Sequence, residues 1–108
     1  MATNPSYLIR TSVLYCLRDL AAALEPEDVA ARVAPVCVTA AADQVPNIRF
    51  VAAKVLQSLR PMLPDAAAAA TVVPCLEKLG TDDDVDVRHF SAQALAAFRA
   101  PAVPVPAA

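Results

Sequence analysis

Glycine occurs once in the 108 residues, histidine once and tryptophan not at all. One glycine excludes the phosphate-cradling loops of nucleotide and dinucleotide sites, which need several glycines for close backbone approach, and leaves little for the turns of a β protein. One histidine, His89, excludes a histidine-rich metal centre and obliges any nucleophile and base pair to use it. Ser91 lies two positions along, an offset that points to a different face of a helix. Three cysteines, Cys16, Cys37 and Cys75, fall at apolar positions of expected helices. There they read as small buried fillers in a reducing compartment, not as a disulfide framework. Nine basic residues are dispersed against eleven acidic ones, giving a net charge of −2 and a pI near 5.1. This excludes nucleic acid as the main partner, because phosphate binding needs a concentrated positive field. No run of about 18 apolar residues is present, and the start MATNPSYLIR lacks a basic-then-apolar leader. No membrane partner is expected, and cytosol or nucleus is the expected compartment.

What is present is apolar mass, 57% of the chain, much of it alanine, arranged with a period of 39. Residues 43–59, DQVPNIRFVAAKVLQSL, recur as residues 82–98, DDDVDVRHFSAQALAAF. Ile48, Val51, Val55, Leu56 and Leu59 lie on one helical stripe, and Val87, Phe90, Ala94, Leu95 and Phe98 repeat it. The same shift backwards reaches Ile9, Ser12, Cys16, Leu17 and Leu20. Arg10, Arg49 and Arg88 form a column, and Pro35 pairs with Pro74. A shift that holds from end to end is the mark of a helical repeat.

Taken in order, helices are expected over about residues 7–24, 27–41, 46–60, 66–79 and 85–99, separated by turns rich in Asp, Pro and Glu. Asn4, Pro5 and Ser6 precede the first as capping and first-turn residues. Pro35 and Pro74 sit inside the second and fourth helices, where a proline removes a donor and bends the axis. Gly80 is expected to stop the fourth helix as its C-terminal cap. The tail APAVPVPAA is expected to be extended and mobile. The fold class is therefore all-α, a HEAT-repeat α-solenoid fragment of about five helices or two and a half repeats with a disordered Pro/Ala tail. Residues 1–24 supply the second helix of a partial repeat, residues 25–61 a repeat, residues 62–100 the C-terminal repeat, and residues 101–108 the tail.

An arginine one turn into each second helix belongs near the interface of successive repeats, where a buried charge must be paired. Asp43 and Asp82 are the expected partners of Arg10, Arg49 and Arg88 in a structural ladder, either within a repeat or across to its neighbour. The run Asp82, Asp83, Asp84, Asp86 invites a calcium loop, but the required glycine would fall at Val87 and the bidentate glutamate at Gln93. It reads instead as a helix start, where carboxylates meet exposed amides. No cofactor, metal or catalytic residue is expected. What remains is a ridge formed by the turns between paired helices, with Tyr7, Val45 and Val85 as apolar anchors and Asn4, Asp43, Asp83 and Asp84 as acceptors.

The strings NPSYLIRTSVLYC, DQVPNIRFVAAKVLQSLRPML and VVPCLEKLGTDDDVDVRHFSAQALAAF resemble the C-terminal end of the scaffolding A subunit of protein phosphatase 2A, from about residue 4 to residue 98. The resemblance implies a non-catalytic scaffold or regulatory subunit whose intra-repeat turns hold a serine/threonine phosphatase catalytic subunit. The contacts would fall on Pro5, Ser6 and Tyr7, on Val45 and Pro46, and on Asp83, Asp84 and Val85. It implies also that the regulatory-subunit site, on N-terminal repeats of that family, is missing here. The alternative is a general HEAT-repeat adaptor of transport or assembly type that uses its concave face or an open end.

Overall fold

The computed structural model describes residues 3–99, and the side chains of residues 8–99. Five helical segments follow one another among these residues. Helix α1 is Thr3–Ala21, α2 covers residues 26–40, α3 is Pro46–Ser58, α4 covers residues 65–79 and α5 is Val85–Arg99. A short 3-10 turn, Arg60–Met62, links α3 to α4. Helix α1 packs on α3 and α3 on α5, forming one layer, while α2 and α4 meet each other and back their own partners α3 and α5. The result is a stack of antiparallel helix pairs offset by one repeat.

Proline shapes the second layer. Pro35 has no N–H and its ring crowds the carbonyl of Ala31, so a regular helix cannot pass through it unchanged. The helix does continue, because the preceding turn widens. Val29–Val33 is π-helical, and the Ala34 N–H donates to the Val29 carbonyl five residues back. Thirty-nine residues on, Ala68–Val72 widens in the same way before Pro74, with the Val73 N–H donating to Ala68. The bend expected from sequence is thus a wide turn placed just ahead of each proline.

The core runs through the middle of the stack. Ile48, Val51, Val55, Leu56 and Leu59 are all buried, as are Val29, Val33 and Cys37 of α2 and Val72, Leu76 and Leu79 of α4. In α5, Val87, Ala94 and Phe98 are buried, while Phe90 and Leu95 pack against the core half-covered. The α1 stripe departs from its copies. Ile9 and Leu20 are 63% and 51% exposed, and Cys16 is exposed as well, so the expectation that all three cysteines are core fillers fails for Cys16. Their counterparts on α3 and α5 are shielded by a helix of their own pair and by the preceding pair. Among the described residues α1 has neither.

One boundary expectation changes, and another is met with a different geometry. Helix α1 is already formed at Thr3, so the backbone of Pro5, Ser6 and Tyr7 is helical and not a free turn. Gly80 ends α4, but at φ −65° and ψ −14°, without the left-handed conformation that favours glycine. Ala41 occupies the matching place after α2 at φ −66° and ψ −13°. The stop therefore does not depend on glycine. It comes from the carboxylate-braced turn that follows.

Candidate protein-interaction ridge

The two turns between paired helices, residues 41–45 and 80–84, share one set of bracing bonds. The Asp43 N–H donates to the Ala40 carbonyl at 3.0 Å, and the Asp82 N–H to that of Leu79 at 3.1 Å. The Asp43 carboxylate then accepts the Val45 N–H at 2.9 Å, and that of Asp82 accepts the Asp84 N–H at 2.9 Å. A short acidic side chain closing on the amide two residues ahead is what lets this turn form without glycine. Each turn is also held from inside the following helix. Arg49 Nη1 donates to the carbonyls of Asp43 and Gln44 at 2.9 and 3.1 Å, and Arg88 Nη1 donates to those of Asp82 and Asp83 at 2.6 and 3.1 Å.

The other edge of each guanidinium settles the choice between pairing within a repeat and pairing across repeats. Arg49 Nε and Nη2 donate to the two carboxylate oxygens of Asp82 at 2.8 and 3.0 Å. Arg10 pairs with Asp43 in the same way across repeats, its Nη2 donating to one carboxylate oxygen at 3.0 Å and its Nε lying 2.7 Å from the other as an ion-pair contact. Arg10 and Arg49 thus take the carboxylate of the next repeat, 33 residues on, and Arg49 and Arg88 also take the backbone of the turn that opens their own helix. Planar two-point pairing suits guanidinium and carboxylate. The Arg49–Asp82 pair is well covered, with side chains 17% and 13% exposed. Hydrogen bonds from Arg49 hold the Asp82 carboxyl below its ordinary value of 3.8, burial pushes the other way, and the Asp84 amide adds to the lowering. Arg88 closes the column, with no further repeat to supply an aspartate among the described residues.

Of the expected interface residues, Val45, Pro46, Asp83, Asp84 and Val85 lie in or beside the two turns that this pairing joins. Val45 and Pro46 are half-buried where α3 begins, the proline in the first turn, where its missing N–H leaves no gap. Val85 opens α5 and is 65% exposed. Asp84 is committed locally, since its Oδ1 accepts the N–H groups of Asp86 and Val87 at 2.9 and 3.1 Å as the helix cap. Asp83 is exposed and is the freer acceptor of the two. Between the turns lies an open cleft of about 650 Å³, walled by Ala42 and Arg49 on one side and by Cys75, Lys78 and Asp83 on the other. The side chains of Pro5, Ser6 and Tyr7 lie outside the described residues, as does the tail.

The residues tested for chemistry are otherwise engaged or apart. Ser91 is buried and its hydroxyl donates to the Arg88 carbonyl at 3.0 Å, while His89 is exposed with its Nε2 3.3 Å from Gln93 Nε2. Among the described residues no group of three metal-binding side chains comes together. None of the helices there is long and apolar enough to cross a membrane. The Cys37 thiol is pushed up to about 12, first by burial and then by nearby Cys75, and Cys75 is raised by burial against the opposing effect of Lys78. Both are poor nucleophiles as a result. Sequence reasoning missed an aromatic seam on the α3–α5 layer. Phe50 stacks on Phe90 with centroids 5.3 Å apart, and Lys54 Nζ sits 5.1 Å over the Phe90 ring. Phe50 follows a column arginine and lies off the repeating stripe, so only the stacking of α3 on α5 brings it to Phe90.

Comparison with known proteins gives this geometry a lineage. The HEAT repeat family matches residues 72–98, the second half of α4 together with α5. The PP2A 65 kDa regulatory subunit of Drosophila melanogaster is 53% identical over 60 residues, covering 56% of the chain and 10% of that protein. The PP2A regulatory A subunit of Saccharomyces cerevisiae is 32% identical over 97 residues, covering 84% of the chain and 15% of that protein. The chain is a relative of the regulatory A subunits of protein phosphatase 2A. The human A beta isoform agrees at 45% identity over 51 residues, 47% of the chain and 8% of that protein. The chain therefore spans about a tenth of the length of these regulatory A subunits. Its architecture is that of a short all-α HEAT-repeat array.

Proposed function

We propose that the chain acts as a non-catalytic scaffold segment whose ridge of intra-repeat turns binds a serine/threonine phosphatase catalytic subunit. The observation that carries this reading is the Arg49–Asp82 pair, which ties together two turns braced by the same bonds. A rigid edge loses little conformational freedom on binding, which favours affinity. Val45 and Val85 would supply apolar contact, Pro46 a stiff helix start, and Asp83 and Asp84 the acceptors, with Pro5, Ser6 and Tyr7 extending the same edge. Kinship with the regulatory A subunits supports the identity of the partner. The site for an exchangeable regulatory subunit lies outside this stretch, and the reading sets the protein in the cytosol or nucleus.

The test is titration of the chain with purified phosphatase catalytic subunit by calorimetry or interferometry. Saturable 1:1 binding is expected, weaker than that of a longer array, and Val45→Asp should weaken it about tenfold or more with helicity unchanged by circular dichroism. No association at tens of micromolar, about −6 kcal/mol, would remove the proposal.

A further inference from the structure

The α1–α3–α5 layer carries a groove of about 470 Å³ to which all three helices contribute. The 39-residue shift puts Tyr15, Lys54 and Gln93 at one place in the repeat and Arg18 and Gln57 at another, and these five line the groove together with Phe90. Phe90 is held in place by the ring of Phe50, which stacks on it at 5.3 Å. The two cations of the groove rest on rings. Lys54 Nζ lies 5.1 Å from the centre of Phe90, and the Arg18 guanidinium lies 4.9 Å from that of Tyr15. A ring face attracts a cation and fixes its place, but it leaves most of the N–H donors for an anion.

Elsewhere the chain satisfies its arginines with carboxylates, Arg10 with Asp43, Arg49 with Asp82 and Arg60 with Asp65. Lys54 makes no ion pair among the described residues. Arg18 meets one carboxylate, its own neighbour Asp19, at 3.3 Å through Nε, with side chains 40% and 75% exposed. Such a solvent-borne pair contributes little and yields readily to a competitor. Although acidic residues outnumber basic ones by eleven to nine, no Asp or Glu lines this groove. We infer that the groove binds an extended acidic segment of a partner protein, its carboxylates meeting Lys54 and Arg18 while an aliphatic side chain between them rests on Tyr15 and Phe90. Side chains two apart on an extended chain share a face, so the pattern that fits is acid, any residue, aliphatic, any residue, acid. Gln57 and Gln93 supply amides for the peptide backbone. None of the ridge residues takes part, and the inference stands apart from the phosphatase reading.

The probe is the rhodamine-labelled peptide GESLSESLSEG, titrated with the intact chain and followed by anisotropy. Saturation is expected at low salt with a midpoint between about 10 µM and 1 mM, weakening at about 0.5 M salt, where exposed charges are screened. Lys54→Glu should weaken binding about tenfold or more, whereas Arg32→Glu, the same charge change on α2, should alter it by less than about twofold. The peptide with Gln in place of Glu should not bind, and the one with Gly in place of Leu should bind about fivefold more weakly or worse. Four results overturn the inference: no saturation up to about 1 mM, undiminished binding by a folded Lys54→Glu chain, equal losses in Lys54→Glu and Arg32→Glu, or displacement of the peptide by millimolar inorganic phosphate at matched ionic strength. Should Lys54→Glu lower helicity, amide chemical shifts of the unaltered chain decide. Shifts gathered at residues 15–18, 54–58 and 90–93 on adding the peptide uphold the site, and shifts centred elsewhere overturn it.

Discussion

At one end of the stack α1 turns Leu8, Ile9, Val13 and Leu20 to solvent, whereas at the other α5 turns out Arg88, His89, Ala92 and Gln93. Position-matched residues make the contrast sharp. Ile9, Ile48 and Val87 share one place in the repeat, yet the first is 63% exposed and the other two are fully buried. Leu14, Ala53 and Ala92 share another, and there the order reverses, with the first two buried and the last exposed. Among the described residues nothing covers the apolar α1 face, while the α5 face, apart from Val85 at its start, is small and polar enough to meet water. In a one-dimensional array, burial at a given position is set by which neighbours are in place as much as by the residue.

The largest test of that contrast places a charge at the matched isoleucines. Ile48→Asp should destabilise the chain by about 4 kcal/mol or more, enough to unfold a small domain, because an unpaired carboxylate enters a closed core. Ile9→Asp should change stability by less than about 0.5 kcal/mol. Urea denaturation followed by circular dichroism reads both, and equal losses would break the comparison. Next come the matched leucines. Leu56 is fully buried in the middle of the stack, and Leu56→Ala should cost about 3 kcal/mol, whereas Leu17→Ala and Leu95→Ala, at half-buried sites, should cost about half of that. The denaturation midpoints of the three variants give the ranking.

The arginine column supplies a smaller effect. Arg49→Ala strands the Asp82 carboxylate and should cost about 2 kcal/mol, and Arg88→Ala, which loses only contacts to its own turn, about 1 kcal/mol. Since the folded Asp82 carboxyl titrates below 3.8, the stability it contributes is fully present above the ordinary carboxylate range and is lost as pH falls through the folded value. Melting curves between about pH 5 and pH 2 should therefore converge for the wild-type chain and Asp82→Asn. A constant gap would detach the ladder from the acid response. The smallest effect is expected at Gly80→Ala, a stabilisation of a few tenths of a kcal/mol. The new Cβ would lie 3.2 Å from the Glu77 carbonyl, and Ala41 holds nearly the same backbone angles in the matching turn with a Cβ in place.

Much of the fold was legible because the 39-residue shift carries several kinds of information at once. Ile48, Leu56 and Val87 announced the buried stripe, Asp43 and Asp82 the turns, and Pro35 and Pro74 an interruption inside a continuing helix. The rest depended on contacts that a linear pattern does not contain. Cys16 sits on the repeating stripe, and nothing within the stripe itself says that its cover is absent. The two roles of Arg49 could not be separated in sequence, because Asp43 is its nearer aspartate along the chain while the carboxylate it grips, on Asp82, arrives from the next pair. Gly80 was legible as the stop of α4, and only the matching angles at Ala41 show that an alanine does the same work. For the ridge, Val45, Asp83 and Val85 could be named from spacing and Pro46 from the family resemblance, but the commitment of Asp84 to capping emerged only from its hydrogen bonds.

The widened turn ahead of Pro35 has a geometric effect that reaches past the proline. Val29, Val33, Cys37 and Ala41 follow at strict intervals of four and are all buried. On a regular helix each such step overshoots a full rotation by about 40°, so the last of the four would have swung about 120° from the first. A stretch with more residues per rotation takes back part of that swing. The four side chains can then form a nearly straight keel along a helix of only about four rotations, and a bent rod lies flush in a straight furrow.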